Sequence, residues 1–322
     1  MTATSPAFIP DLARQALRSL AEAGIFLGTS SWKYPGWLGQ LYTADRYLYR
    51  GQFAQTRFDR LCLAEYSETF TTVCVDAAYY RFPDDRFLNG LAGQVPDGFR
   101  FTFKVTDEIT IKRFTRLPRF GDRAGQPNPH FLDAELFASS FLAPLEPFRS
   151  KTGVLLFEFS RFYPSDYARG RDFVEALDGF LGKLPKDWRY GVEIRNATFL
   201  QPGYFACLAR HGVSHVFNSW DAMPSLAEQM ALPDAFTSLD HAVARLLLRP
   251  GRDYEEAVKR FQPYERIQDP YPEGRAPITE LLRRIARRDQ GVSRTIYAYV
   301  NNRFEGNALQ TIASILREMA PA

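Results

Sequence analysis

The sequence predicts an α/β fold, a single (β/α)8 barrel of the TIM type, from three observations. Eight short, mostly apolar segments each give way to a helical segment. No linker rich in Pro, Gly or Ser divides the 322 residues. The rival, an open doubly wound sheet, needs fewer strands and usually a G-x-G-x-x-G turn after the first, which is absent here.

Leu12, Ala16, Leu20 and Ala23 recur at helical spacing and stop at Gly24, which predicts an N-terminal helical extension over 1–24, ahead of a barrel domain over 25–322. Ile25 to Thr29 reads as strand one and Phe58 to Tyr66 as its helix. Thr71 to Ala77 is strand two, and Arg86 to Val95 a short helix closed by Pro96. In strand three, Phe99 to Val105, the odd-numbered Phe99, Phe101 and Phe103 face one way and Lys104 the other. Residues 107–133 read as a long loop, too polar for a core, whose length points to function or mobility. After a helix over Ala134 to Leu142, Val154 to Phe159 is a continuous apolar run, as in a strand buried on both faces. Phe173, Val174, Leu177, Phe180, Leu181 and Leu184 mark an amphipathic helix ended by Pro185. Strand five (Tyr190 to Arg195), a helix (Tyr204 to Arg210) and strand six (Ser214 to Asn218) follow. Ser225 and Glu228 make a capping box. Strand seven is placed at Ala244 to Arg249, with a second long loop and a helix over Ile278 to Arg288. Strand eight (Thr295 to Val300) and a helix over Asn307 to Glu318 close the chain.

Composition narrows the function classes. With 45% hydrophobic and 24% charged residues and a net charge of +3, the chain accommodates anionic ligands, but it lacks the excess charge of a dedicated nucleic-acid binder. Three cysteines without a C-x-x-C favour neither a disulfide framework nor a zinc ribbon, so a reducing cytoplasm is expected. Met1 to Gln15 has no apolar signal region, and no run reaches membrane-spanning length, so no membrane partner is expected. His211 and His215 straddle Gly212 and so miss the shared helical face of paired metal ligands, and a histidine-based metal site is not expected. A G-x-S-x-G elbow is absent, which disfavours a serine hydrolase.

A TIM barrel carries its site at the C-terminal ends of the strands. Strand alternation points Asp76, Lys104, Glu158, Glu193 and Arg195 inward near that end, joined by Asn218, Asn301 and Asn302. Glu193 and Asp76 are the candidate acid and base, with Lys104 and Arg195 holding an anionic group. Arg249 and Arg252 follow strand seven, and Asn301 and Asn302 follow strand eight, the loops that often bind phosphate in this fold. Gly251 and Gly306 there would let backbone N–H groups approach the anion. Ser30, Trp32 and Tyr34, from a first loop turned by Gly36, are candidate pocket walls together with Tyr79 and Asn196. The 107–133 loop interleaves Lys112, Arg113, Arg116, Arg119 and Arg123 with Phe114 and Phe120, which suits a lid or an electrostatic funnel with stacking surfaces. Tyr254, Tyr264 and Tyr271 extend that theme.

Two functions follow from these residues. One is an enzyme acting by acid–base chemistry on a phosphorylated or otherwise anionic small molecule. The alternative is a non-catalytic protein binding a nucleotide or single-stranded nucleic acid on the same face. The bland reading of the charges is a structural ion-pair layer closing the core. No cofactor motif is recognisable, and Mg²⁺ held by Asp76, Glu158 or Glu193 stays open.

Several segments carry a family resemblance. Gly28-Thr29-Ser30-Ser31-Trp32-Lys33-Tyr34-Pro35-Gly36-Trp37 resembles G-T-S-G-W-x-Y-x-x-W, and Pro96 to Lys104 resembles P-x-G-F-x-F-x-x-K. Glu193 to Phe199 is similar to E-x-R-H-x-S-W, and Val300 to Ala308 to F-N-N-x-x-x-G-x-A. On these motifs the chain resembles the YecE-like family, domain of unknown function 72, over residues 25–316. The resemblance implies a TIM-type barrel and no settled activity. The departures fall on polar positions: Cys74 stands for a Glu, Asp76 for an Asn, Ala78 for a Thr and Asn196 for a His.

Overall fold

The computed structural model describes residues 7–320. Its eight parallel strands are β1 (Ile25–Thr29), β2 (Thr72–Val75), β3 (Arg100–Lys104), β4 (Thr152–Glu158), β5 (Tyr190–Glu193), β6 (Ser214–Ser219), β7 (His241–Leu246) and β8 (Thr295–Val300). Each pairs with its neighbours in sequence, and β8 closes the ring on β1 with Ile25 opposite Ile296. This is the predicted (β/α)8 barrel. Around it lie α1 (Pro10–Glu22), α2 (Gln55–Thr69), α3 (Asp85–Ala92), α4 (Gly170–Lys183), α5 (Pro202–Arg210), α6 (Leu226–Ala231), α7 (Tyr254–Phe261), α8 (Pro272–Ala286) and α9 (Ala308–Met319). None of the described helices is long and apolar enough to cross a membrane.

Period-2 alternation sends one set of side chains into the barrel and the other toward the helices. Cys74, Val154, Leu156, Val216, Val243, Tyr297 and Tyr299 fill the interior, with Phe26 stacked on Tyr297 at 5.0 Å. The Tyr299 hydroxyl donates to Thr102 Oγ1 at 2.7 Å and lies 2.9 Å from Thr72 Oγ1, which satisfies a polar group that burial would otherwise penalise. Above Tyr299 the interior becomes charged.

Several boundaries differ from expectation for physical reasons. β2 stops at Val75 because Asp76 to Tyr79 winds into a 3-10 turn, and β5 stops at Glu193 ahead of a 3-10 turn at Ala197–Phe199. β7 lies three residues earlier than predicted. Leu247 and Leu248 are buried outside the strand proper, and Leu248 packs on Ala257 and Phe261 of α7. α8 starts six residues early, at Pro272, and accommodates Pro277 inside it.

The 107–133 segment, expected as a loop too polar for a core, contains a small core of its own. It folds as a small lobe with a short helix at Asp107–Thr110 and a 3-10 turn at Pro118–Arg123. Ile111, Phe114 and Phe120 bury together with Tyr79. Arg119 pairs with Asp107 at 2.5 Å and Arg123 with Glu108 at 2.6 Å, so two of its cations are neutralised within the lobe.

Candidate functional site

The C-terminal end of the barrel interior holds three carboxylates and three cations. Lys104 Nζ lies 3.0 Å from Glu158 Oε2, and Arg195 Nη2 lies 2.6 Å from Glu193 Oε1 and 3.3 Å from Glu158 Oε2. Arg245 Nη1 donates to Glu158 Oε2 at 2.7 Å and Glu193 Oε2 at 2.6 Å, and its Nη2 stands 3.7 Å from Asp76. The layer is therefore neutral overall, as enclosed charge has to be if it is not to cost several kcal/mol per ion. Exposure is graded across it. The Glu193 side chain is 0% exposed, Lys104 11%, Glu158 13% and Asp76 36%.

The five inward charges predicted from alternation are brought together. Arg245 was missed, because the register assumed for strand seven placed Arg249 at the strand end instead. Parallel pairing of Asn218 with Arg245 fixes the true phase. Asn218 lies under Arg195, whose Nη1 donates to its Oδ1 at 3.3 Å, while the guanidinium stacks 4.0 Å over Trp220. Tyr79 covers Lys104, with Nζ 3.8 Å from the ring centroid.

Burial alone would keep Glu158 protonated, yet Lys104, Arg195 and Arg245 together hold its pKa well below the ordinary glutamate range. Burial likewise opposes the Lys104 charge, but Glu158 and Asp76 outweigh it and raise the lysine. Linkage fixes the sign: a depressed folded-state pKa contributes stability above the unfolded glutamate value of about 4.3, lost as pH falls toward the folded value. Unfolding midpoints in urea are therefore expected to decline below about pH 4. Glu158→Gln should flatten that decline; an unchanged slope would contradict the coupling.

The other predicted residues make contacts within the protein. Asn196 exchanges two hydrogen bonds with the backbone of Phe162, at 2.8 and 2.9 Å, fastening the loops after β4 and β5. Asn301 Oδ1 accepts from the Arg303 amide at 3.0 Å, and Asn302 Oδ1 accepts from the Ala308 amide at 2.7 Å. Arg252 pairs with Asp269, and Arg249 approaches the same carboxylate at 3.7 Å and stacks on Tyr271. The Gly251 and Gly306 N–H groups already donate to the Asp221 and Asn302 carbonyls. Trp32 faces outward, toward Leu63 of α2 and Phe87 of α3. Ser30 is buried, its hydroxyl without a partner among the described residues. Phe114 and Phe120 are buried in the lobe and present no stacking surface.

Tyr34 stands 5.5 Å from Tyr264 in an edge-on contact. Burial raises its pKa, and the charges of Arg303 and Asp76 both act on it, in opposite directions. Arg303 is the second residue that sequence reading missed. It is half-buried and stacks on Tyr254 at 4.6 Å. Its Nε is buried without a hydrogen-bond partner, and no carboxylate of the described residues comes within ion-pair distance of it. Beside the mouth, a cavity of 270 Å³ between the loops after β3 and β4 is lined by Lys112, Arg113, Arg116, Arg161 and Asp166. Lys112 Nζ sits 3.3 Å over the Tyr167 ring there, where burial lowers its pKa.

Fold and site together define a (β/α)8 barrel protein with a charge-compensated C-terminal mouth. The chain belongs to the DUF72 family, proteins of unknown function, whose family model matches residues 26–322. Solved structures of two proteins share the fold. A DUF72 family protein from Enterococcus faecalis V583 superposes with a TM-score of 0.61 at 19% identity, covering 92% of this chain and 96% of its own. One from Thermotoga maritima MSB8 gives 0.59 at 19% identity, covering 92% and 98%. No curated protein matches the sequence.

Proposed function

We propose that the protein is an enzyme that binds a small anionic molecule at the barrel mouth, with Arg303 receiving the anionic group and Asp76 acting as general base. The observation that carries this reading is the distribution of compensation. Lys104, Arg195 and Arg245 are already paired with Asp76, Glu158 and Glu193, so none of the three brings surplus positive charge to a ligand. Arg303 has no such partner among the described residues, and a guanidinium offers a planar fork suited to phosphate or carboxylate. Asp76 is the accessible carboxylate of the layer, held only loosely by Arg245 at 3.7 Å. Tyr34, on which the charges of both Arg303 and Asp76 act, packs edge-on against Tyr264, and the pair supplies a stacking or hydrogen-bonding wall. Glu193, with no exposed surface and two arginines on it, has the role of fixing Arg195 and Arg245 rather than of exchanging protons with substrate.

The test is anion binding followed by turnover. Sulfate and phosphate titrations, read by calorimetry, should show a weak site in the wild type. Arg303→Ala should weaken it about tenfold or more, the loss of one charge-assisted hydrogen bond. A panel of phosphorylated and carboxylated small molecules should then reveal turnover that Asp76→Asn removes while anion affinity is kept. Equal anion affinity in wild type and Arg303→Ala would overturn the assignment.

A further inference from the structure

We infer that the protein carries a divalent transition-metal site in the seam between α4 and α5, formed by Asp178, Cys207 and His211. The three ligand atoms, one from each residue, lie within 4.8 Å of one another. His211 Nε2 is 2.8 Å from Asp178 Oδ1, and Cys207 Sγ is 3.7 Å from the same oxygen. A tetrahedral zinc ion with bonds of about 2.0–2.3 Å needs ligand atoms roughly 3.3–3.8 Å apart, so side-chain adjustments alone would admit it. Cys207 and His211 are four apart at the C-terminal end of α5 and face one side of it, and Asp178 reaches them from α4. The donor set of thiolate, imidazole and carboxylate is borderline-soft, which favours Zn²⁺ over Mg²⁺ or Ca²⁺, and water would fill the fourth position.

Metal binding would displace the groups now on these ligands, among them the long Cys207 Sγ contact to the Val174 carbonyl at 3.9 Å. Arg210 Nη1 donates to Asp178 at 2.8 Å, but its side chain is 63% exposed, and such a surface pair contributes little. Lys186 lies 3.3 Å from His211 Nδ1 and donates to the Leu181 carbonyl as well. With Nδ1 accepting from Lys186, the imidazole proton sits on Nε2 and faces Asp178. Metal binding moves that proton to Nδ1 and turns the lysine away into water. Cysteine binds a metal as the thiolate, so metal binding also releases the Cys207 thiol proton to solvent. Cys62 and Cys74 are buried elsewhere and take no part.

Isothermal titration of the full-length, metal-free protein with Zn²⁺ under reducing conditions tests the site. One zinc per chain is expected, with about one proton released when the heat is compared in two buffers of different ionisation enthalpy. Co²⁺ should give the near-ultraviolet sulfur-to-cobalt charge-transfer band of a thiolate ligand. Cys207→Ser should abolish that band and weaken zinc binding about tenfold or more. Asp178→Asn, on a partly exposed side chain, keeps the test intact should the cysteine variant fail to fold. Absence of zinc binding in the wild type, or equal affinity in wild type and Asp178→Asn, would overturn the proposal.

Discussion

Arg245→Met is expected to destabilise the protein by about 3–5 kcal/mol, the cost of breaking a buried charge network by removing one partner. Arg245 is the hinge of the charged layer. Its guanidinium bonds both Glu158 and Glu193 and approaches Asp76, and its own charge is held far into the cationic form despite burial, mainly by Glu193. Methionine replaces the aliphatic stem, so little volume is lost, and the effect isolates the charge. Without Arg245, Glu193 keeps only Arg195, and that contact places Oε1 at 2.6 Å without forming a directed hydrogen bond. Glu193 has no exposed surface, so its buried carboxylate would be left under-compensated. Urea unfolding monitored by circular dichroism reads the loss as a lowered midpoint with an unchanged slope. The double variant Arg245→Met with Glu193→Gln should recover part of it, because the second change removes the stranded charge. A loss under about 1 kcal/mol would mean that water already reaches the layer.

The parts of this molecule that were legible in the sequence are those that depend on local periodicity. Parity along a strand puts Asp76, Lys104, Glu158 and Glu193 on the same side as the interior, whatever the tertiary contacts. Arg245 obeys the same parity, but the apolar run Leu246-Leu247-Leu248 drew the predicted strand forward, and pairing with β6 decides the phase. Arg303 lies in a loop without periodicity, and its importance rests on what does not approach it, a property of the whole fold. The 107–133 segment misled for a related reason. Its polar composition concealed that Ile111, Phe114 and Phe120 share one small core with Tyr79 from another loop. The i, i+4 spacing of Cys207 and His211 is visible in the chain, whereas Asp178 joins them only once α4 packs on α5.

The opening glycines were likewise legible as a motif and not as a constraint, and they give the second large expected effect. Gly28→Ala should cost about 3 kcal/mol, at the upper end of overpacking penalties. A Cβ on Gly28 would stand 2.4 Å from the Thr72 carbonyl oxygen and 2.9 Å from Thr72 Cγ2. That carbonyl cannot yield freely, since the Tyr66 hydroxyl donates to it at 3.0 Å and also lies 2.9 Å from Thr29 Oγ1. The methyl group would therefore pry β1 from β2 at a seam where Thr29 and Val73 are the paired residues. Gly36→Ala meets the Pro263 carbonyl oxygen at only 1.9 Å, so Gly36 serves close approach of two loops rather than a left-handed turn. Because those loops carry Tyr34 and Tyr264, its effect should appear in the mouth, as weakened anion binding, as well as in stability. Gly179→Ala supplies the control. This glycine is exposed within α4 with nothing within 4 Å of the added methyl, so the same chemical change should raise stability by about 0.5–1 kcal/mol. Thermal unfolding of the three variants side by side separates backbone contact from glycine content, and a stable Gly28→Ala protein would mean that β1 and β2 are not held at this spacing.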